Sequence, residues 1–310
     1  MARFWLIAIG AGALSALLYL SVVLGRPGAM VLAYLAQLPL FAVAFGMGGL
    51  ASLTATGSAA LIVAAVGGLI AGGLFLVASG LPVVVLGRKA LLNRHTDEGK
   101  TEWYPLGLLL TWAVGIGAGA FAALGLVLAL TTDGVESSVR GVLDGTLARM
   151  LAGGDEGGRQ RLLDIVVPWF PAAVVISWLI MMAINAALAQ GVLARFGRNL
   201  RPSPELADME LPQAMTLALG LSGLAALAPA AVGFIGRNLF MILLVPFFFL
   251  GLGVVHAVAR KYAPQKPLIL VAAYAVMIVL GWPVVLVAGL GLFDQWLGLR
   301  RRLAAAGPAE

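Results

Sequence analysis

Chemistry inside an apolar chain needs ionisable or strongly polar groups held away from water, and this sequence offers few. Asp294 is the one acidic residue inside an apolar stretch. Buried carboxylates at membrane depth are costly and often mark proton or cation sites. Trp296 and Arg300-Arg301-Arg302 follow it closely, so an interfacial salt bridge or helix-end role is the preferred reading. Arg237 and Asn238 precede a strongly apolar run. At the N-terminal end of a helix they would suit an anionic substrate or a lipid headgroup. A snorkelling arginine that marks the helix end is the plainer alternative. Gln37, Thr54, Thr56, Asn185, Gln190 and His256 are neutral polar residues at estimated membrane depth. Gln37 precedes Pro39, whose ring frees a carbonyl in the preceding turn. Broken helices with polar side chains line transporter substrate sites, although interhelical hydrogen bonds explain single polar residues more simply. The candidate ligand-binding set is Gln37, Asn185, Arg237 and Asn238.

Other chemistries lack their residues. No G-x-x-x-x-G-K-[ST], G-x-S-x-G or H-E-x-x-H occurs, which removes the ATPase, serine-hydrolase and zincin signatures. Cysteine is absent and the two histidines, His95 and His256, are far apart, so neither a disulfide framework nor a metal motif is expected. The glycines at 67–68 and 72–73 sit in an apolar run and mark close helix packing. No cofactor and no enzymatic activity are expected. Ala8, Gly12 and Ala16 recur at four-residue spacing, a row that lets a second helix approach closely. That row is either a docking face for a partner or, preferably, packing within the same chain.

The elements that hold these residues are dictated by composition. The 310 residues are 61% hydrophobic and 11% charged, with a mean hydropathy of +1.02. A water-facing surface needs more charge than that. No charged residue lies between Arg26 and Arg88, between Glu102 and Asp133, or between Asp164 and Arg195. About 20 apolar residues cross a hydrocarbon core about 30 Å thick, so each interval spans at least once. Continuous apolar runs favour helices over a barrel, whose strands alternate. The fold class is all-α: a polytopic transmembrane bundle of about eight spans plus a short C-terminal hairpin, eight to ten helices in total.

The first apolar run, 4–24, is too long for a signal-peptide core and reads as a retained span that stops at Gly25-Arg26-Pro27. Breaker clusters at 46–49, 54–58 and 80–82 divide the next stretch into 29–47, 56–77 and a short 81–92. A basic loop with Trp103-Tyr104-Pro105 as an aromatic anchor leads to a span over 106–130. Within the hydrophilic stretch 132–164, apolar residues from Val135 to Leu151 recur at helical spacing. They predict an amphipathic surface or capping helix ended by the Gly-rich run at 153–158. Further spans are expected at 165–193, 213–235 and 238–259. The last apolar stretch, 267–299, would be about 50 Å long as one helix, and Gly281-Trp282-Pro283 splits it into a hairpin. Two regions follow: a short-helix N-terminal part over 1–95, and a C-terminal part over 96–310 within one membrane domain.

Loop charges orient the chain. With the N-terminus inside, 14 of the 20 basic residues fall on inner segments, as the positive-inside rule requires. The hairpin keeps Arg300–Arg302 inside, so both ends are expected on the cytoplasmic side. The net charge of +6 therefore records orientation and implies no nucleic acid.

The Gly80-Leu81-Pro82 entry, the basic loop after it and the run Gly289-Leu290-Gly291-Leu292-Phe293-Asp294-Gln295-Trp296 closed by three arginines resemble the YybS-like family. This is a family of predicted bacterial membrane proteins defined as a domain of unknown function. Its N-terminal half is similar in pattern to the S components of energy-coupling-factor vitamin transporters. Those are bundles of about six short helices that dock on a partner through small residues of helix 1. The resemblance implies a multi-pass protein of the bacterial inner membrane, transport-related, binding a small molecule or lipid without chemistry. The alternative is a structural or scaffolding protein of the envelope. Expected partners are the lipid bilayer and either a transmembrane protein or a second copy of the chain.

Overall fold

A computed structural model describes residues 2–24, 28–150, 156–261 and 265–305. The expected helix stop at 25–27 and the start of the Gly-rich run at 153–155 lie outside the described residues. The described residues are mostly helical and include one two-stranded hairpin, β1 (Asn93–His95) and β2 (Thr101–Trp103). Among the described residues seven helical segments are long and apolar enough to cross a membrane: Ala2–Val23, Ala29–Met47, Gly49–Gly67, Leu69–Ala90, Leu106–Thr131, Phe170–Arg195 and Ala230–Lys261. Three shorter apolar helices, Gln213–Ala226, Lys266–Leu280 and Pro283–Leu297, accompany them. The chain groups into two compact units, residues 1–113 with 180–204 and residues 114–179 with 205–310.

The first unit contains α1 (Ala2–Leu20), α2 (Ala29–Tyr34), α3 (Leu38–Met47), α4 (Gly49–Gly67), α5 (Leu69–Phe75) and α6 (Leu81–Ala90). Two boundaries differ from the sequence expectation. The spans predicted at 56–77 and 81–92 are crossings at 49–67 and 69–90, because the chain reverses at Gly48 (φ 92°) and Gly68 (φ 88°). Only glycine enters that left-handed region without a Cβ penalty. The Thr54–Ser58 cluster does not break α4, since Thr54 Oγ1 donates to Leu50 O (3.0 Å) and Ser58 Oγ to Ala55 O (3.0 Å). A hydroxyl that bonds back to its own helix withdraws as a competitor of the helical ladder. Gly80-Leu81-Pro82 is likewise no helix start. The ladder widens to a π turn over Leu76–Gly80 and carries the chain through as one crossing.

Packing in this unit depends on small residues. Ala8, Gly12, Ser15 and Ala16 form the buried stripe of α1, and a Cβ added at Gly12 would strike Ala55 O and Ser58 Oγ of α4. The row that could have met a partner is thus covered at Gly12 by a helix of the same chain. Phe41, Phe75, Leu40, Val63 and Val83 fill the core, with Tyr19 edge-on to Phe75 at 5.0 Å.

The second unit carries the end of α7 (Leu106–Thr131), α8 (Val135–Met150), α9 (Glu156–Val166), the start of α10 (Phe170–Arg195), α11 (Gln213–Ala226), α12 (Ala230–Lys261), α13 (Lys266–Leu280), α14 (Pro283–Leu297) and α15 (Leu299–Ala305). The amphipathic helix predicted over 135–151 is α8. Its partner α9 takes in Gly157 and Gly158, and Arg140–Asp164 (2.8 Å) and Arg159–Asp144 (2.9 Å) join the two. The span expected from 165 begins at Phe170, after a turn that contains Pro168. The break predicted between 235 and 238 falls instead at 227–229. Gly236 is not a terminator but a point of close approach, where a Cβ would lie 2.5 Å from Ala225 C. A 32-residue α12 therefore runs unbroken through Arg237, Asn238 and Pro246.

The split of 267–299 holds: α13 ends at Gly281 and α14 starts at Pro283. Yet α14 packs mainly on α12 rather than on α13. Gly251 and Gly291 face each other at that crossing, with Gly251 against Val287 O and Gly291 against Phe247 O.

Gly12→Leu should lower stability by about 1–3 kcal/mol through overpacking, seen as a fall in the unfolding midpoint in detergent. Gly10→Leu, at a position with nothing within 4 Å, should leave that midpoint unchanged.

Candidate functional site

In a segment surrounded by hydrocarbon, a carbonyl freed by a helix break must be answered from within the protein. The first unit has two such breaks. Between α2 and α3 the chain turns at residues 35–37, and Leu38 N–H donates to Leu35 O (3.0 Å) instead of to Tyr34 O four residues back. Tyr34 O accepts from Asn185 Nδ2 (2.7 Å), which also donates to Met181 O (2.8 Å) on its own helix α10. Ala36 O accepts from Ser15 Oγ of α1 (2.6 Å). The second break is the π turn. Pro82 has no N–H to offer the carbonyl of Ala78, and that carbonyl accepts from Gln37 Nε2 (3.4 Å). The two interruptions are therefore neighbours, linked through Gln37.

Both amides spend their NH2 groups on these carbonyls, so their oxygens point elsewhere. Gln37 Oε1 and Asn185 Oδ1 are buried without a hydrogen-bond partner, and so are Ser52 Oγ and Thr56 Oγ1 of α4. Ser52 and Thr56 are one helical turn apart on one face. Thr56 Cγ2 would lie 2.6 Å from a Cβ at Gly80, which places Thr56 against the same π turn that Gln37 touches. Unpartnered buried polar atoms are rare in folded proteins, and each one asks for a water, an ion or a ligand. Four such atoms belong to elements that touch these two interruptions or lie one helical turn from them. Of the sequence candidates, Gln37 and Asn185 come together here. Ser52 and the role of the π turn went unrecognised; the Ser52–Thr56 spacing and Pro82 were the signals available.

Gln190 Nε2 and Asn199 Nδ2 both donate to Arg201 O (2.8 and 2.7 Å). Arg201 Nη1 donates to Ala90 O at the end of α6 (3.0 Å). Burial lowers the Arg201 guanidinium from its ordinary value. Lys89 sits over the Trp112 ring at 4.3 Å, and Trp112 Nε1 donates to Tyr104 OH (3.1 Å), a cation and aromatic cluster of interfacial type.

Arg237 and Asn238 belong to the second unit and lie in the body of α12, not at a helix mouth. Asn238 is fully engaged: Oδ1 accepts from Ala172 N (2.8 Å), and Nδ2 donates to Pro168 O (3.0 Å) and Phe234 O (2.9 Å). It serves the break between α9 and α10 as Asn185 serves that between α2 and α3. Arg237 Nη1 reaches Ala226 O at 3.5 Å, by the last turn of α11. His256 bonds back to Leu252 O (2.9 Å).

Asp294 is buried and spends both oxygens on Arg300, Oδ2 on Nε (2.7 Å) and Oδ1 on the backbone N–H (2.9 Å). Arg300 Nη1 continues to Ala207 O (2.9 Å) and Leu206 O (3.3 Å). The pair closes one wall of a half-open cavity of about 750 Å3 that Asp208, Glu210, Arg260 and Lys261 also line. Arg260 is held by Glu205 (2.8 Å), and Arg301 lies 4.0 Å from Glu210. No group of three or more His, Asp or Glu suited to a metal occurs among the described residues.

Seven apolar crossings and interiors knit by side chains that answer helix breaks define a polytopic α-helical membrane protein. The sequence from residue 13 to 295 matches the family described as "Predicted membrane protein (DUF2232)", and the chain belongs to that family. No curated protein and no solved structure matches it.

Asp294→Ala leaves the Arg300 guanidinium without its counter-ion and should cost about 3 kcal/mol or more, read as a lower unfolding midpoint. The double variant Asp294→Leu with Arg300→Met should recover only part of that loss, because the Leu206 and Ala207 carbonyls lose their donor, whereas Glu205→Gln, at an exposed pair, should cost under about 1 kcal/mol.

Proposed function

We propose that this protein is a multi-pass component of the bacterial cytoplasmic membrane that binds a small solute in the first unit. In this reading it is transport-related and performs no chemistry on the solute. The observation that carries the reading is that the oxygens of Gln37, Ser52, Thr56 and Asn185 are buried and unpartnered. A scaffold would have no use for them, since each unmet polar group costs about 1–3 kcal/mol. A protein that surrenders such stability at two adjoining helix interruptions gains a place for a ligand. Gln37 and Asn185 are its ligand-facing amides, while Arg237 and Asn238 maintain the second unit. A transmembrane partner or a second copy would meet outward apolar surface such as Leu6, Leu14 and Leu17 of α1, since the small-residue row faces α4. Both chain ends face the cytoplasm.

Ser52→Ala with Thr56→Val removes only unpartnered oxygens and should leave the apo protein as stable as wild type or more so. Mass spectrometry of the detergent-purified protein should find a stoichiometric small solute on the wild type and at least a tenfold smaller amount on the double variant. Equal amounts on both, or none on the wild type, would overturn the reading. For orientation, a reporter active only in the periplasm should stay silent when fused after Glu310; a bright fusion reverses that part of the proposal.

A further inference from the structure

The half-open cavity of about 750 Å3 in the second unit is lined by charges of both signs, and we infer that it binds a zwitterion, a group that carries an ammonium beside a phosphate or carboxylate. None of its residues belongs to the binding reading above, and the inference does not depend on that reading. The acids come from the segment that precedes α11. Met209 and Leu211 are buried there, 1% and 6% exposed, and the exposed Asp208 and Glu210 alternate with them. Side chains hold this segment by its backbone: Arg300 Nη1 donates to Leu206 O and Ala207 O, and Gln295 Nε2 donates to Leu211 O (2.8 Å). The cations come from helices, Arg260 and Lys261 from the last turn of α12 and Arg300 and Arg301 from α15.

The ion pairs decide which of these charges a ligand can use. Asp294 and Arg300 are spent on each other (2.7 Å), with side chains 2% and 12% exposed, and they build the wall. Arg260 is taken by Glu205 (2.8 Å). Arg301 and Glu210 stand 4.0 Å apart with side chains 79% and 80% exposed, a contact that water screens and that contributes little. The side chains of Lys261 and Asp208 have no partner among the described residues. The groups left open are therefore two cations, Lys261 and Arg301, and two carboxylates, Asp208 and Glu210. A simple anion would meet both carboxylates and a simple cation both basic groups, and such like-charge juxtaposition rejects a partner. A zwitterion satisfies the two kinds together: its phosphate or carboxylate accepts from Lys261 and Arg301, and its ammonium donates to Asp208 and Glu210. Trp296, next in sequence to the lining residue Gln295, is 64% exposed in the last turn of α14, and exposed tryptophans of this kind belong to the membrane–water interface. At that level the same chemistry has two sources, the headgroup of an aminophospholipid and a free zwitterion.

The test uses the full chain purified in detergent, beside the variants Asp208→Asn and Lys261→Gln. Neither side chain has a partner to lose, so both variants should keep the wild-type unfolding midpoint. Titration calorimetry follows phosphoethanolamine, inorganic phosphate and ethanolamine as free probes. Native mass spectrometry follows the retention of phosphatidylethanolamine against phosphatidylglycerol. The inference expects one zwitterion, free or lipid, to bind about tenfold more tightly than its singly charged counterparts, and each variant to lose about tenfold. Retention of the lipid with a silent free probe supports a headgroup as the ligand, and the converse supports a soluble zwitterion. Phosphate or phosphatidylglycerol binding as well as the zwitterion overturns the inference. So does zwitterion binding that is unchanged in either variant, and so does silence in both arms.

Discussion

The constraint on which the structure depends is that hydrocarbon offers no hydrogen bonds, so a backbone carbonyl released by a broken helix must be met by another part of the protein. The chain breaks its helices repeatedly and answers three of the breaks, at 35–37, 76–80 and 167–169, with one device, a side-chain amide or hydroxyl brought from a distant segment. Asn185 meets Tyr34, Ser15 meets Ala36, Gln37 meets Ala78, and Asn238 spans Pro168 to Ala172. Each such residue pins a tertiary arrangement that close packing of small side chains would leave free to slide. Arg300 does the same with a charge, holding the Leu206 and Ala207 carbonyls while Asp294 balances it.

The same device is used to different extents by different amides. Asn238 uses its oxygen and its nitrogen, and nothing is left over. Asn185 and Gln37 use only their nitrogens. Among these three amides the distinction lies in which atoms remain unused, the oxygens of Gln37 and Asn185.

Much of this was legible in the sequence. Charge-free intervals gave the all-α membrane class, the 3.6-residue pattern gave α8, and Gly281-Trp282-Pro283 gave the division between α13 and α14. Gln37 and Asn185 stood out as polar residues in apolar runs. What the sequence conceals is the meaning of a given glycine. Gly48 and Gly68 reverse the chain, whereas Gly80 and Gly236 admit a neighbour's atoms and leave the helix continuous. Both kinds look alike in one dimension, so spans 56–77, 81–92 and 213–235 were bounded wrongly and Arg237 and Asn238 were set at a helix mouth. Likewise Thr54 and Ser58 read as breakers because their bonds to the preceding turn are invisible without coordinates. The orientation of an amide, on which the candidate site turns, is also a property of its partners and not of its letter.

The division of the first unit between residues 1–113 and 180–204 bears on how the protein is made. The bond from Asn185 to Tyr34 O joins residues 151 positions apart. At about 5–20 residues per second, the ribosome takes roughly 10–30 s to supply the second after the first. During that interval the turn between α2 and α3 exists with its Asn185 partner still unsynthesised. Lipid cannot stand in for it, and water is scarce at that depth. Tyr34 O therefore gains its Asn185 donor only after α10 has been made, and α10 is the late-arriving half of that contact.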